Sequence, residues 1–584
     1  MDTTHVWEKA ELEFHAAYDY DNPYRDVDVW VDLEGPSFSR RCYGFWDGDD
    51  VFRVRVMATS PGRWRWTSGC STGDPGLLDR SGEFDAVPWS EAEKSANPNR
   101  RGMIRATANG HAFEYADGTP YFLLGDTWWA TPTHRFPWYD EDVERKIGPG
   151  AGFKDYVRFR KDQGYNCIAM IASFPNWQND DKPSKWIRED GLVVRSAWPQ
   201  AGTESAEAMH NEDGETAFRF PGRVPGLERY VPDLERINPA YFQAMDRKID
   251  YLNAQGFVPF IEAARRDIGQ LWKRFYPWPD SYARYVQYVW ARYQANICFY
   301  SPIHFDSPVL SIPADEWNRA AMTVRDAYGL PPFGTLLGTN ASPSSMINWG
   351  HLDDAPWLGF HQIGNRRTHD VYVHLTDIYH AEPPIPGING EPYYDGMEDA
   401  EPGSDKAARY CRSAIYGSVL SGGLGGQIYG AGGWDGGIWS GEVEAASRDP
   451  IWEAILWDSA DQMQYCRDFI MSEGEIYQTL VPATEQLVPN RSGDPKTNDG
   501  WAYCAATPDS ALYLCYFELD CPQAALSGAE PNAAYKLRWF DTRQGAWLDE
   551  ELELIADATG TLELPAFPSG ETTSRTDWAL KLKR

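Results

Sequence analysis

The chain has 584 residues, with 54 Lys and Arg against 86 Asp and Glu for a formal charge of −32, and this long-range negative field disfavours phosphate backbones and anionic membrane surfaces as partners. Apolar residues make up 42% of it and aromatic residues 14%, including 26 Trp and 32 Tyr; the length predicts two or three domains, and the many flat aromatic faces hint at sugar rings. The nine cysteines show no CxxC pair and no ligand-like spacing, so they read as buried apolar residues, and neither a metal nor another cofactor is expected.

The first residues, "MDTTHVWEKAELEF", have neither the basic start nor the apolar run of a secretory signal, and no later segment is apolar enough to cross a bilayer. The expectation is a cytoplasmic protein that engages neither nucleic acid nor membrane, with a homo-oligomer left open. Residues 6–87 alternate over short runs such as "DVDVWVDLEG" and "VFRVRVMATSPGRWRWTSG", predicting an N-terminal antiparallel β-sandwich within residues 1–92. "SEAEKSANPNRRG" has no periodicity and reads as a linker.

From about residue 111 apolar strands alternate with amphipathic helices. The predicted strands cover 120–129, 165–173, 257–264, 296–306, 333–339, 357–364, 384–391 and 425–433, with helical patterns such as "NPAYFQAMDRKIDYLNAQG" between them. Eight such beats predict a (β/α)8 TIM barrel spanning 93–477, with long insertions after the first two strands. A doubly wound open sheet is the rival, but no Gly-rich phosphate loop follows the first strand. Beyond residue 478 the helical period stops, and "KLRWFDTRQGAWL" has the form of a hairpin, predicting a C-terminal β-sandwich over 478–584.

In such a barrel the chemistry sits where the C-terminal ends of the strands converge. That filter leaves Asp126 ending the first strand, Glu262 in the third, Asp306 ending the fourth and Glu391 ending the seventh. Asp306 and Glu391 are the expected catalytic pair, since glycoside hydrolysis needs one protonated carboxyl to serve the leaving oxygen and a second, ionised one to attack. Asp306, in "FYSPIHFDSP", lies among apolar residues that would keep it protonated, whereas Glu391, in "PGINGEPYYDG", precedes Tyr393 and Tyr394, whose hydroxyls would favour its charge. Either acid could instead be a structural charge pairing with an arginine.

The segments "SPGRWRW", "YFLLGDTWW", "NGEPYYDG" and "YGAGGWDGGIWS", found in this order, resemble the apiosidase-like glycoside hydrolases, the group containing glycoside hydrolase family 140. The resemblance covers essentially the whole chain. It implies a small N-terminal β-domain, a (β/α)8 barrel and a C-terminal domain of the type named for collagen binding. It also implies an acid at the end of the fourth strand and a nucleophile in the "GEP" segment, which fall on Asp306 and Glu391. The family's fourth strand ends in a Gly-Gly-Asp-like segment; here His304 and Phe305 stand before the aspartate, which reshapes the pocket floor and leaves the family's sugar specificity uninherited.

Further candidates for substrate binding are Asp126, one of Trp128 and Trp129, His304, His361, Gln362, Arg366, Tyr393, Gln427, Tyr429 and Trp434. Successive strand residues point to opposite faces, so at most one of the two tryptophans should line the pocket. His361 is the best placed to meet the sugar or Glu391, although a lone histidine is more often structural. The insertion 174–235 reads as a lid or subsite wall. The expected function is a retaining glycosidase acting on a terminal, furanosidic sugar of a plant or microbial glycan. Inversion with Glu391 as base, and a degenerate barrel that only binds carbohydrate, are the alternatives.

Overall fold

The computed structural model describes the chain except residues 1, 174–184, 188–192, 196–209, 227, 229–230, 266–271, 306–311, 365–367, 398–399, 432–449, 493 and 495–496, with backbone alone at 2, 185–187, 193–195 and 370. Near the N-terminus a five-stranded sheet runs in the order Asp2–His5, Ser81–Val87, Gly62–Cys70, Val29–Gly35, Phe38–Tyr43, and a three-stranded sheet joins Ala10–His15, Val51–Val56 and Phe45–Gly48. The alternation in "VWVDLEG" buries Val29, Val31 and Leu33 on one face, as the two-residue strand period requires. Trp64, on the Gly62–Cys70 strand, is fully buried; a Cβ at Gly35 would lie 2.3 Å from its ring.

The segment expected to be a linker holds a short helix, Glu91–Ala96. Ser90 caps its start, and the Glu93 carboxylate accepts the Ser90 backbone N–H in return at 2.8 Å, a reciprocal arrangement that satisfies two otherwise orphaned donors.

The central domain is built on seven parallel strands in the order Phe299–Ser301, Val258–Glu262, Cys167–Ile171, Leu123–Thr127, Gly426–Tyr429, Gly387–Glu391, His361–Gly364. Strands such as "CIAMI", "VPFIE" and "GINGE" are buried along their whole length, because helices cover one face and the interior the other. Residues 336–338 bond the edge strand Phe299–Ser301 and the segment leading into the other edge strand: Tyr300 N–H donates to Leu336 O at 3.0 Å, Gly338 N–H to Tyr300 O at 2.9 Å, and Gly359 N–H to Leu337 O at 2.7 Å. The result is a TIM-like domain, with helices including Phe153–Asp162, Pro239–Ala254, Asp280–Tyr293, Ala314–Tyr328 and Asp405–Leu420 following the strands.

Four phenylalanines fill the interior near the strand starts. Phe113, from a small sheet preceding the first barrel strand, lies 5.4 Å from Phe299 and 5.5 Å from Phe360, and Phe260 lies 5.8 Å from Phe360. This aromatic filling leaves the strand ends for polar groups.

Buried ion pairs tie the outer domains to the barrel. Arg55 of the N-terminal sheet bonds Asp246 at 2.5 Å, and Arg292 bonds both Asp246 at 2.7 Å and Asp47 at 2.8 Å. Burial opposes the charge on Asp246, but the guanidiniums of Arg292 and Arg55 hold its carboxyl well below the usual range. The C-terminal domain has a six-stranded and a three-stranded sheet, and the expected hairpin pairs Ala534–Asp541 with Ala546–Ile555. Its Asp577 meets Arg412 of the barrel through two bonds of 2.7 Å. All nine cysteines are buried and free.

Candidate active site

Glu391 ends the Gly387–Glu391 strand and is 4% exposed. The ladder to the neighbouring strand slips just before it, pairing Ile363 with Asn389 but Gly364 with Glu391. Gly390 occupies the slip, where a Cβ would come within 1.9 Å of the Gln362 side-chain amide. That contact explains the glycine before the acid. With its oxygen accepting from the backbone N–H groups of Thr339 at 3.1 Å and Asn340 at 3.3 Å, the Gln362 amide fixes the turn that carries Asn340. The Asn340 side chain then donates to Glu391 Oε2 at 2.9 Å. Gln362, expected at the substrate, thus lies behind the carboxylate and helps to place it.

Glu262 ends the Val258–Glu262 strand, is 1% exposed, and is hydrogen-bonded to His304 Nδ1. Burial, and then the negative charge of Glu391, push its carboxyl well above the usual range. Two acids from separate strands therefore share one interior, with Glu262 favouring its neutral form. The His304 ring lies 4.5 Å from that of Trp129 at 59°, and its backbone N–H donates to Ala264 O at 2.7 Å. Asp306 lies outside the described residues, as do Arg366, Trp434 and most of the insertion expected to form a lid; the described chain approaches Asp306 through His304 and Phe305, both buried.

The other expected residues turn elsewhere. Asp126 pairs with Arg160 of the Phe153–Asp162 helix at 2.6 Å, both side chains being fully buried, and accepts the Trp128 indole N–H at 2.9 Å. Asp126 and Trp128 therefore face the helical shell, while Trp129 turns to His304, as strand alternation demands. Burial raises the Asp126 carboxyl, against the opposing pull of Arg160. Tyr429 lies beside the same arginine, 5.7 Å from its guanidinium, and its hydroxyl meets Ser459 Oγ at 2.8 Å. Gln427, two residues earlier on that strand and 1% exposed, shares its face. The Tyr393 hydroxyl donates to Met397 O at 2.8 Å.

His361 sits at the opposite end of its strand from Gly364, the register partner of Glu391. Its Nδ1 is 2.8 Å from Ser345 Oγ and its Nε2 2.9 Å from His351 Nδ1, while His351 Nε2–H donates to Pro383 O at 2.8 Å. Burial, and then the adjoining His351, push the His361 imidazole down to about 3. It is a neutral link in a structural chain.

The residues brought together are thus Glu391, Glu262, His304, Trp129 and Asn340. Sequence reasoning assigned no role to Asn340, although it stands just past the fifth predicted strand, and none to Glu262. Extending the strand-end filter from acids to amides would have found the first.

Comparison with known proteins agrees with this architecture. Residues 107–476 match the family described as apiosidase-like, catalytic domain, and residues 3–71 match a domain of unknown function, DUF5060. No curated protein sequence matches the chain. A candidate glycoside hydrolase from Bacteroides vulgatus superposes with a TM-score of 0.65 at 16% identity, covering 100% of both chains. A glycoside hydrolase family 5 protein from the same organism gives 0.55 at 16% identity over 83% of this chain and 94% of its own. A further glycoside hydrolase gives 0.56 at 15% identity over 83% and 98%. The fold and the matched catalytic domain define a glycoside hydrolase, an enzyme acting on carbohydrate. The chain belongs to the apiosidase-like family.

Proposed function

We propose that the enzyme is a retaining glycosidase that removes a terminal, furanosidic sugar from a plant or microbial glycan. In this reading the barrel is a closed (β/α)8 cylinder over 93–477, flanked by β-sandwiches over 1–92 and 478–584. Glu391 attacks the anomeric carbon as Asp306 gives its proton to the leaving oxygen, forming a covalent glycosyl-enzyme. Asp306 then takes a proton from the water that attacks this intermediate, releasing the sugar with its original anomeric configuration.

The observation that carries the reading is the environment of Glu391. Asn340 donates to one of its oxygens at 2.9 Å, and Glu262, whose carboxyl feels the charge of Glu391, is driven toward the neutral form. Like charges in close quarters disfavour double ionisation, and a neutral Glu262 sets no second negative charge beside Glu391. Trp129 and His304, their rings tilted by 59° to one another, place aromatic surface beside the two acids.

The test is hydrolysis of a panel of aryl furanosides and pyranosides, with the first-formed anomer read by NMR. The proposal expects turnover of a furanoside with retention, abolished in Glu391→Ala. First-formed product of opposite configuration would instead require water attack with Glu391 as base, for which the two carboxyls stand about 6.5–9.5 Å apart rather than about 5–5.5 Å.

A further inference from the structure

The barrel and the C-terminal domain meet along a cleft of about 520 Å³, walled by His369, Tyr372 and Val373 from the barrel and by Gln486, Trp501 and Tyr503 from the C-terminal domain. Its size falls in the range of small-molecule sites. Beneath it Glu518, fully buried, accepts from His369 Nε2 at 2.7 and 2.8 Å, from the Trp501 backbone N–H at 3.0 Å, and from the Ser413 hydroxyl. That anchor holds the His369 imidazole parallel to the Trp501 indole, 4.5 Å away at 2°.

With Nε2 committed to Glu518, His369 Nδ1 has no hydrogen-bond partner among the described residues. The same is true of Trp501 Nε1, the Tyr503 hydroxyl and Gln486 Oε1, although His369 is 2% and Tyr503 3% exposed. Buried polar groups are nearly always paired, and these four unpaired ones belong to residues that line a single cleft, which points to a place that can receive hydrogen bonds. Their chemistry is mixed: an indole donor, an amide acceptor, and a phenol and an imidazole that can serve either way. The buried carboxylate is already satisfied, and the rim carries one acid and one base, Glu485 and Arg491, so nothing calls for a charged ligand. Tyr372 and Tyr503 meet edge to face at 5.4 Å and 85°, giving flat apolar walls. Neutral hydroxyls combined with an apolar ring face are the surface of a saccharide.

We infer that this seam is a second saccharide-binding site, outside the barrel wall, which holds neutral sugar units of the glycan that the barrel cleaves. The inference rests on the glycoside hydrolase reading. His369, on the cleft wall, follows five residues after Gly364, the register partner of Glu391.

The test uses the full chain carrying Glu391→Gln, titrated by calorimetry with xylotetraose, arabinotetraose, cellotetraose and mannotetraose. Val373 is 55% exposed, so Val373→Trp fills the cleft from its rim without disturbing the core, and Tyr503→Phe removes one unpaired hydroxyl. Each change, added to Glu391→Gln, is expected to weaken binding of at least one oligosaccharide, tenfold or more for Val373→Trp and about threefold for Tyr503→Phe. In the Glu391 background, Val373→Trp leaves hydrolysis of small aryl glycosides unchanged. Binding that neither change alters, or no binding of any of the four, overturns the inference. Failure to hydrolyse any aryl glycoside counts against the catalytic proposal alone, since calorimetry decides the cleft in either case.

Discussion

Glu262 and Glu391 end separate barrel strands yet share one buried interior, and the charge of Glu391 adds to burial in holding Glu262 toward its protonated form. The sign of the pH effect follows from linkage. Glu262 titrates higher in the folded chain than in the unfolded one, so its contribution is fully present below the unfolded value and is lost as pH rises toward the folded value. Glu262→Gln, which keeps an acceptor for His304, is expected to remove this penalty. Melting temperatures compared from pH 4 to pH 8 should show the variant gaining on the parent as pH rises, and parallel curves would contradict the assignment.

Asp126 offers a second test, because its carboxylate pairs with Arg160 inside the helical shell. Asp126→Ala leaves a buried guanidinium without its counter-charge, a change that destabilises by about 3–5 kcal/mol. Denaturant unfolding should register that loss. Asp126→Asn, which keeps an acceptor for the Trp128 indole, should retain the KM of the parent on whichever aryl glycoside is hydrolysed. A large rise in KM in a stably folded variant would return Asp126 to the substrate.

His361 makes the opposite prediction from Glu262. Its imidazole is pushed down to about 3, so the stability it contributes is full above its unfolded value near 6.5 and is lost as pH falls from there. His361→Asn, which cannot be protonated, should flatten the decline in melting temperature between about pH 6.5 and pH 4. An unaltered acid limb would contradict this.

These residues also mark how far the sequence could be read. The barrel strands carrying Glu262 and Glu391 were legible because apolar runs alternate with helical periods and end in conspicuous acids. The phase of each strand was not. Parallel strands are buried on both faces, so hydropathy cannot say which of two neighbours points inward; the choice between Trp128 and Trp129 stayed open, and Asp126 was expected on the face that Trp129 occupies. Asn340 escaped because only carboxylates were sought at strand ends. The Ser90 and Glu93 capping pair was present in "SEAE", but a helix of six residues is too short to show a period.

The central claim is that Glu391 becomes covalently bonded to the sugar. A 2-fluoro glycoside with a good leaving group, matched to the preferred sugar, slows release of such an intermediate, and intact-protein mass spectrometry reads the result. The account predicts a mass increase of one glycosyl unit, lost in Glu391→Ala and mapped by proteolysis to the peptide containing residues 387–391. Continued turnover of the parent substrate with no adduct on the enzyme, or an adduct on a different carboxylate, would contradict it.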